Sequence, residues 1–180
     1  MDFAKVLAEV ARFLDQQRVR WGVAGAIALH AHGLSRATSD LDLVVEDKAR
    51  KALLPFLDSL GYERLYASEG FSNHLHPQAS GGRLDFIYVD SQTAELLFSR
   101  AARVEIFPGT AALLPRPEHL AAMKVLAMKN NPSRMLQDLA DIQFLLGLPG
   151  VDENEIRGYF EKHGLLAKFD EIKRTRDPGH

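Results

Sequence analysis

The chain has 180 residues, close to one domain's worth, and its 46% hydrophobic and 26% charged residues can build a full core, which excludes wholesale disorder and fibrous classes. Lys and Arg number 22 against 24 Asp and Glu, a formal charge of −2, so a globally basic nucleic-acid coat is excluded. There is no cysteine, which removes disulfides, thiolate metal sites and cysteine nucleophiles from consideration.

Phe3, Val6, Leu7, Val10, Phe13 and Leu14 recur at three- and four-residue steps and predict an amphipathic helix over 3–17. The opening Met1-Asp2-Phe3-Ala4-Lys5 lacks the basic-then-apolar layout of a signal peptide, and no apolar run reaches the ~20 residues that span a bilayer. The expectation is a cytoplasmic protein with no membrane partner. A short β-prone stretch, 19–23, precedes a helix-favouring run, 24–33, that stops at Gly33. Residues 41–45 read as a strand, and Asp47 is expected to cap a helix running to about Leu60. Tyr62–Tyr66, Phe71–His76 and Leu84–Val89 are further strand candidates, with a turn at Gly81-Gly82. A helix over about 92–101 and a strand over 103–107 follow. From Pro117 the pattern is helical, with faces formed by Leu120, Met123, Leu126 and Ala127, then by Met135, Leu139, Ile142, Leu145 and Leu146. Pro132 suits a first helical turn, and two weaker helices, about 152–163 and 165–175, close the chain. The expected plan is an α/β (α+β) core over 1–115, a mixed sheet flanked by helices, with a helical region over 116–180 packed on it.

The chemistry concentrates in Ser39-Asp40-Leu41-Asp42-Leu43. Alternation along a strand points Asp40 and Asp42 to one face, with their stems about 6–7 Å apart. Two carboxylates so placed suit a pair of divalent cations, and hard oxygen donors select Mg²⁺ or Mn²⁺. A third acid, Asp85, lies in the apolar run Leu84–Val89 and faces the same side as Arg83 and Ile87, so it is costly unless paired or bound to a cation. If the two strands are neighbours, three acids converge. Upstream, Val23-Ala24-Gly25-Ala26 turns a strand into a helix with small residues that allow a phosphate close to the backbone. Arg36 is a candidate phosphate clamp, and Thr38 or Ser39 fixes the loop before the first acid.

Ala24-Gly25, Ala28-Leu29, His32-Gly33, Arg36, Thr38 and Asp40-Leu41-Asp42, with Asp85 on a later strand, resemble the nucleotidyltransferase superfamily of DNA polymerase β-like fold. Within it the sequence resembles the abortive-infection toxin nucleotidyltransferases of the AbiEii kind and small bacterial relatives. Glu118–Lys124 and Arg134–Ile142 resemble that group's helical lysine and aspartate motifs, so the resemblance spans roughly residues 20–146. It implies that Asp40, Asp42 and Asp85 bind Mg²⁺ or Mn²⁺ and catalyse transfer of NMP from an NTP to an acceptor hydroxyl. It further implies that Gly25, Arg36, Thr38, Ser39, Lys124 and Asp138 hold the nucleotide. The resemblance implies an acceptor that is an RNA or tRNA end, a protein or a small molecule, and an antitoxin partner if the chain is a toxin. One departure is Ala24, where the family turn usually carries glycine; a nucleotide-binding or antitoxin-like module without catalysis is the alternative that it motivates.

Several features invite a second reading. Asp138 and Asp141 lie on one helix side and either pair with Arg134 or orient a substrate-facing cation. His74 and His76 share a strand face at a spacing that suits zinc but lack a completing ligand. Lys173–Arg176 is a basic turn that is either solvated or touches an RNA backbone. An aspartyl-nucleophile phosphatase is excluded, because Leu43, Val44 and Val45 follow Asp42 where a hydroxyl residue and a lysine are needed.

Overall fold

A computed structural model describes residues 1–176. The chain divides into two compact units, Met1–Pro115 and Arg116–His180. The first is built on one seven-stranded mixed sheet. Its strands are β1 (Trp21–Val23), β2 (Asp40–Glu46), β3 (Glu63–Ala67), β4 (Phe71–Leu75), β5 (Arg83–Val89), β6 (Ala102–Phe107) and β7 (Thr110–Leu114). They lie in the order β3-β4-β5-β2-β1-β7-β6. Its helices are α1 (Phe3–Gln16), α2 (Gly25–Ala31), α3 (Arg50–Ser59) and α4 (Ser91–Phe98).

The predicted periodicities hold because each element has a face to bury. α1 turns Val6, Leu7, Val10, Ala11 and Leu14 inward, and Asp2 caps it by accepting from the Lys5 amide at 3.1 Å. In β5 burial alternates strictly, with Leu84, Phe86 and Tyr88 inside. β2 is buried at Leu41, Leu43 and Val45 and half-buried at Asp40 and Asp42. β2 and β5 pair in parallel and β1 and β2 antiparallel, so β2 sits at the centre with its ladder hydrogen bonds satisfied on both sides. Gly22 lets β1 lie close to β7, since a Cβ there would stand 2.4 Å from the Leu113 carbonyl oxygen.

Two local expectations are corrected. Asp47 does not cap a helix. The chain leaves β2 through a 3-10 turn, Asp47–Ala49, with Glu46 at the cap position, and Asp47 supplies its charge from within the first turn. Residues 110–114 form a strand that sequence reading missed, because Thr-Ala-Ala-Leu-Leu carries helix-favouring residues and pairing with β6 and β1 overrides them.

The second unit holds α5 (Pro117–Asn130), α6 (Met135–Leu146), α7 (Glu153–Lys162) and α8 (Leu166–Arg176). Pro132 opens a 3-10 turn, Pro132–Arg134, that leads into α6. The α6 face expected around Leu139, Ile142, Leu145 and Leu146 is buried. The α5 face is rotated from the expected one. Leu120, Ala121, Lys124, Val125 and Met128 are inside, while Leu126 is exposed. The hydrophobic count went astray because a buried lysine belongs to the inner stripe. No helix among the described residues is long and apolar enough to cross a membrane.

Candidate active site

The central pairing sets the site. In the parallel ladder Asp42 lies opposite Asp85 and Asp40 opposite Arg83. Alternation sends Asp40, Asp42, Arg83 and Asp85 to the face opposite Leu41, Leu43, Leu84 and Phe86. Carboxylate oxygens of Asp40, Asp42 and Asp85 lie within 4.8 Å of one another, all half-buried. The three predicted acids therefore meet.

Each acid is held differently. The Thr38 hydroxyl donates to the Asp40 carboxylate and also stands 3.2 Å from the Asp40 carbonyl oxygen, which fixes the loop as expected. The Asp42 carbonyl accepts from the Ala24 amide at 2.9 Å, and this ties the strand-to-helix turn to β2. Gly25 opens α2 with φ +54°, and a Cβ built there would stand 1.9 Å from Asp42 Oδ2. Glycine is required at 25 on two counts, conformation and space. Ala24 is extended (φ −131°) and nearly fully buried, so the first position of the turn makes no glycine-only demand on the backbone.

Asp85 is held by two groups that sequence reading did not assign. Arg83 Nε donates to both of its oxygens, at 2.8 and 3.1 Å, and Asn73 Nδ2 of the neighbouring β4 donates to Oδ1 at 2.9 Å. Arg83 sits two residues from Asp85, so its nearness was legible from the strand period; Asn73 depends on the β4–β5 register. The hydrogen bond to Asp85 raises the Arg83 pKa further above its ordinary value, burial works against this, and the charges of Asp85, Asp40 and Asp42 add to the rise. The guanidinium thus reports a concentrated negative field on this face.

Ser39 is exposed, and Arg36 is half-buried with Nη1 3.5 Å from the Ala37 carbonyl oxygen. In the helical unit Lys124 Nζ lies 3.0 Å from Asp138 Oδ1 and 2.6 Å from Asp141 Oδ2, with both carboxylates buried. Arg134 Nε approaches Asp138 Oδ2 at 3.7 Å. Asp138 and Asp141 therefore serve a lysine of α5, and Asp138 meets it more closely than it meets the arginine of the turn before α6. His74 is buried with Nε2 2.9 Å from Ser72 Oγ, and burial lowers its pKa, whereas His76 Nε2 lies 3.1 Å from the Leu60 carbonyl oxygen. Each imidazole makes its own hydrogen bond through Nε2. In the basic turn Lys173 pairs with Glu153 at 2.8 Å, and the Arg176 side chain lies outside the described residues.

No family model and no curated protein matches this chain. Solved structures do match its fold. The antibiotic-resistance factor ANT(2'')-Ia superposes with a TM-score of 0.56 at 14% identity, over 97% of this chain and 92% of that one. The lincosamide antibiotic adenylyltransferase LnuA, in its lincomycin-bound form, gives 0.51 at 11% identity over 93% and 96%. A candidate nucleotidyltransferase of Thermotoga maritima gives 0.52 at 12% identity over 77% and 92%. The architecture is the α/β fold of nucleotidyltransferases, a mixed sheet flanked by helices.

Proposed function

We infer that this chain is a metal-dependent nucleotidyltransferase that moves NMP from an NTP to an acceptor hydroxyl and releases pyrophosphate. The observation that carries this reading is the in-register meeting of Asp42 with Asp85, and of both with Asp40, on one sheet face beside Gly25. The fold shared with LnuA and the other neighbours supports it.

The residues fit a divalent cation. Three hard carboxylates lie within 4.8 Å of one another, and the missing side chain at Gly25 leaves room for the Asp42 carboxylate to keep its place among them. Asp40, Asp42 and Asp85 would hold Mg²⁺ or Mn²⁺, which neutralises the triphosphate and lowers the pKa of an acceptor hydroxyl when bound. In the transfer the acceptor oxygen bonds to the α-phosphorus, the bond from that phosphorus to the bridging oxygen breaks, and pyrophosphate leaves with the electron pair. Asp85 takes the acceptor's proton. Arg83 and Asn73 keep its carboxylate aimed from two sides, and Thr38 does the same for Asp40. The work is positioning and charge compensation, as phosphoryl transfer requires. Gly25, Arg36, Thr38, Ser39, Lys124 and Asp138 are assigned to the nucleotide from the resemblance, and Arg36 also as a cation that suits a phosphate.

The acceptor reading favours a small molecule, since LnuA and ANT(2'')-Ia match nearly the whole chain and LnuA acts on an antibiotic. The resemblance to AbiEii-type toxins adds a tRNA end and an antitoxin partner as the alternative. The test incubates the pure chain with Mg²⁺, each α-labelled NTP and either bulk tRNA or a panel of hydroxylated small molecules. Label transfer and pyrophosphate release are expected, with a loss of at least ~100-fold in Asp42→Asn, on the scale of removing one preorganised electrostatic group. No transfer to any acceptor, together with Mg²⁺ and nucleotide binding unchanged in Asp42→Asn, overturns the reading. Nucleotide binding without pyrophosphate release would instead mark a non-catalytic binding module.

A further inference from the structure

The sheet face that carries the acids continues past them. Register lines up the residues of β2, β5, β4 and β3 in rows. One row reads Asp40, Arg83, Leu75, Glu63, and the next reads Asp42, Asp85, Asn73, Tyr66. Phe71 stands beside Ile87 in a third. The Asn73–Asp85 hydrogen bond and the stacked rings of Tyr66 and Phe71, with centroids 4.8 Å apart and planes 20° apart, place these side chains on a common side. On the reverse side Ser72, His74, Leu84 and Phe86 are buried. Yet Tyr66 is 50%, Phe71 44% and Leu75 41% exposed. An aromatic pair left open on the face of a site is a feature that asks for an occupant.

We propose that this shelf is the acceptor subsite, and that it takes the flat ring of a small molecule whose hydroxylated part reaches the acids. The proposal rests on the nucleotidyl-transfer reading. Continuity comes first, because Tyr66 ends the same row that begins with Asp42 and Asp85. Length comes second. Two strand steps separate Tyr66 from Asp85, roughly 10 Å, which is the span of an aryl ring joined to one sugar. Chemistry comes third. The ring faces favour a planar partner, and the Asn73 amide between shelf and acids offers an oxygen to a passing hydroxyl. A second copy of the chain fits less well. The outer strand β3 carries a register shift between Arg64 and Tyr66 and exposed charges at Glu63 and Arg64, which break the regular edge that strand addition needs.

The test uses 4-nitrophenyl β-D-glucopyranoside as the ring-bearing probe and methyl β-D-glucopyranoside as the ringless one. Both are titrated by calorimetry into the chain saturated with Mg²⁺ and each α,β-methylene nucleoside triphosphate in turn. The wild-type chain is expected to bind the aryl glycoside about tenfold more tightly than the methyl glycoside. That preference is expected to vanish in Tyr66→Ser/Phe71→Ser and to fall in Tyr66→Leu, which keeps the bulk, the strand and the fold. It is expected to persist in Leu136→Ser, which alters an exposed leucine of the helical unit. Nucleotide affinity stays the same in all of them. Equal binding of the two probes by the wild-type chain overturns the proposal. So does an aryl preference that survives the double substitution, or a wild-type dimer that Tyr66→Leu dissociates in sedimentation. Failure of the wild-type chain to bind Mg²⁺ and nucleotide removes the underlying reading, and the shelf with it. A preference that fails while nucleotide binding holds removes the shelf alone.

Discussion

At position 25 a single hydrogen atom separates a working turn from a collision. A side chain there would have to adopt a left-handed backbone and push Asp42 aside, because its Cβ would stand 2.5 Å from Asp42 Cγ as well as 1.9 Å from Oδ2. Gly25→Ala is therefore expected to cost at least about 2 kcal/mol of stability, from backbone strain and overpacking together. It is also expected to weaken Mg²⁺ binding, since the acid it displaces belongs to the triad. Urea unfolding and calorimetry check the two effects, and a variant as stable as wild type with unchanged Mg²⁺ affinity would contradict both. The need for a small residue at 25 was legible in the chain, and so was the common direction of Asp40 and Asp42, because a strand's period of two is read directly from spacing; Asp85 joins them through the β2–β5 register. The partners of Asp85 were legible only in part. Arg83 is a neighbour within the strand, whereas Asn73 arrives through a hairpin whose register no local pattern specifies.

Among the elements, α5 and α6 make the contrast clear. Lys124 lies within the buried face of α5, closed in by Asp138 and Asp141. A lysine is buried at small net cost only when carboxylates meet it, and the partners lie on a different helix, so hydropathy alone assigned the stripe to Met123 and Leu126. Lys124→Met leaves two buried carboxylates without their cation and is expected to destabilise the chain by about 3–5 kcal/mol. Chemical denaturation measures this. If stability is unchanged and nucleotide affinity falls instead, Lys124 serves a phosphate and not the helix pair. β7 shows the opposite failure. Its alternating burial is plain once it lies between β6 and β1, but Ala and Leu carry no strand signature of their own.

For the molecule as a whole, acid sensitivity should centre on Glu46, at the end of β2. Burial alone would raise its pKa, but hydrogen bonds from Arg20, Lys48 and Ser91 outweigh that and hold it at about 2, below the ordinary 4.5. The unfolded chain takes up this proton near pH 4.5 and the folded chain only near 2. The resulting stabilisation, about 3 kcal/mol, is complete above pH 4.5 and drains away as pH falls toward 2. Glu46→Gln is expected to be less stable at neutral pH and to show a shallower loss between pH 5 and 2, as read from urea midpoints; equal slopes would assign the acid response to other carboxylates. The same central strand has a kinetic consequence. Asp42 and Asp85 are neighbours only through a parallel pairing that must close a long loop, and such pairings are costly to nucleate. A divalent ion gains its third carboxylate only when that closure is complete. Its tightest grip therefore belongs to the closed sheet, where it acts as a late clasp that slows escape from the native state.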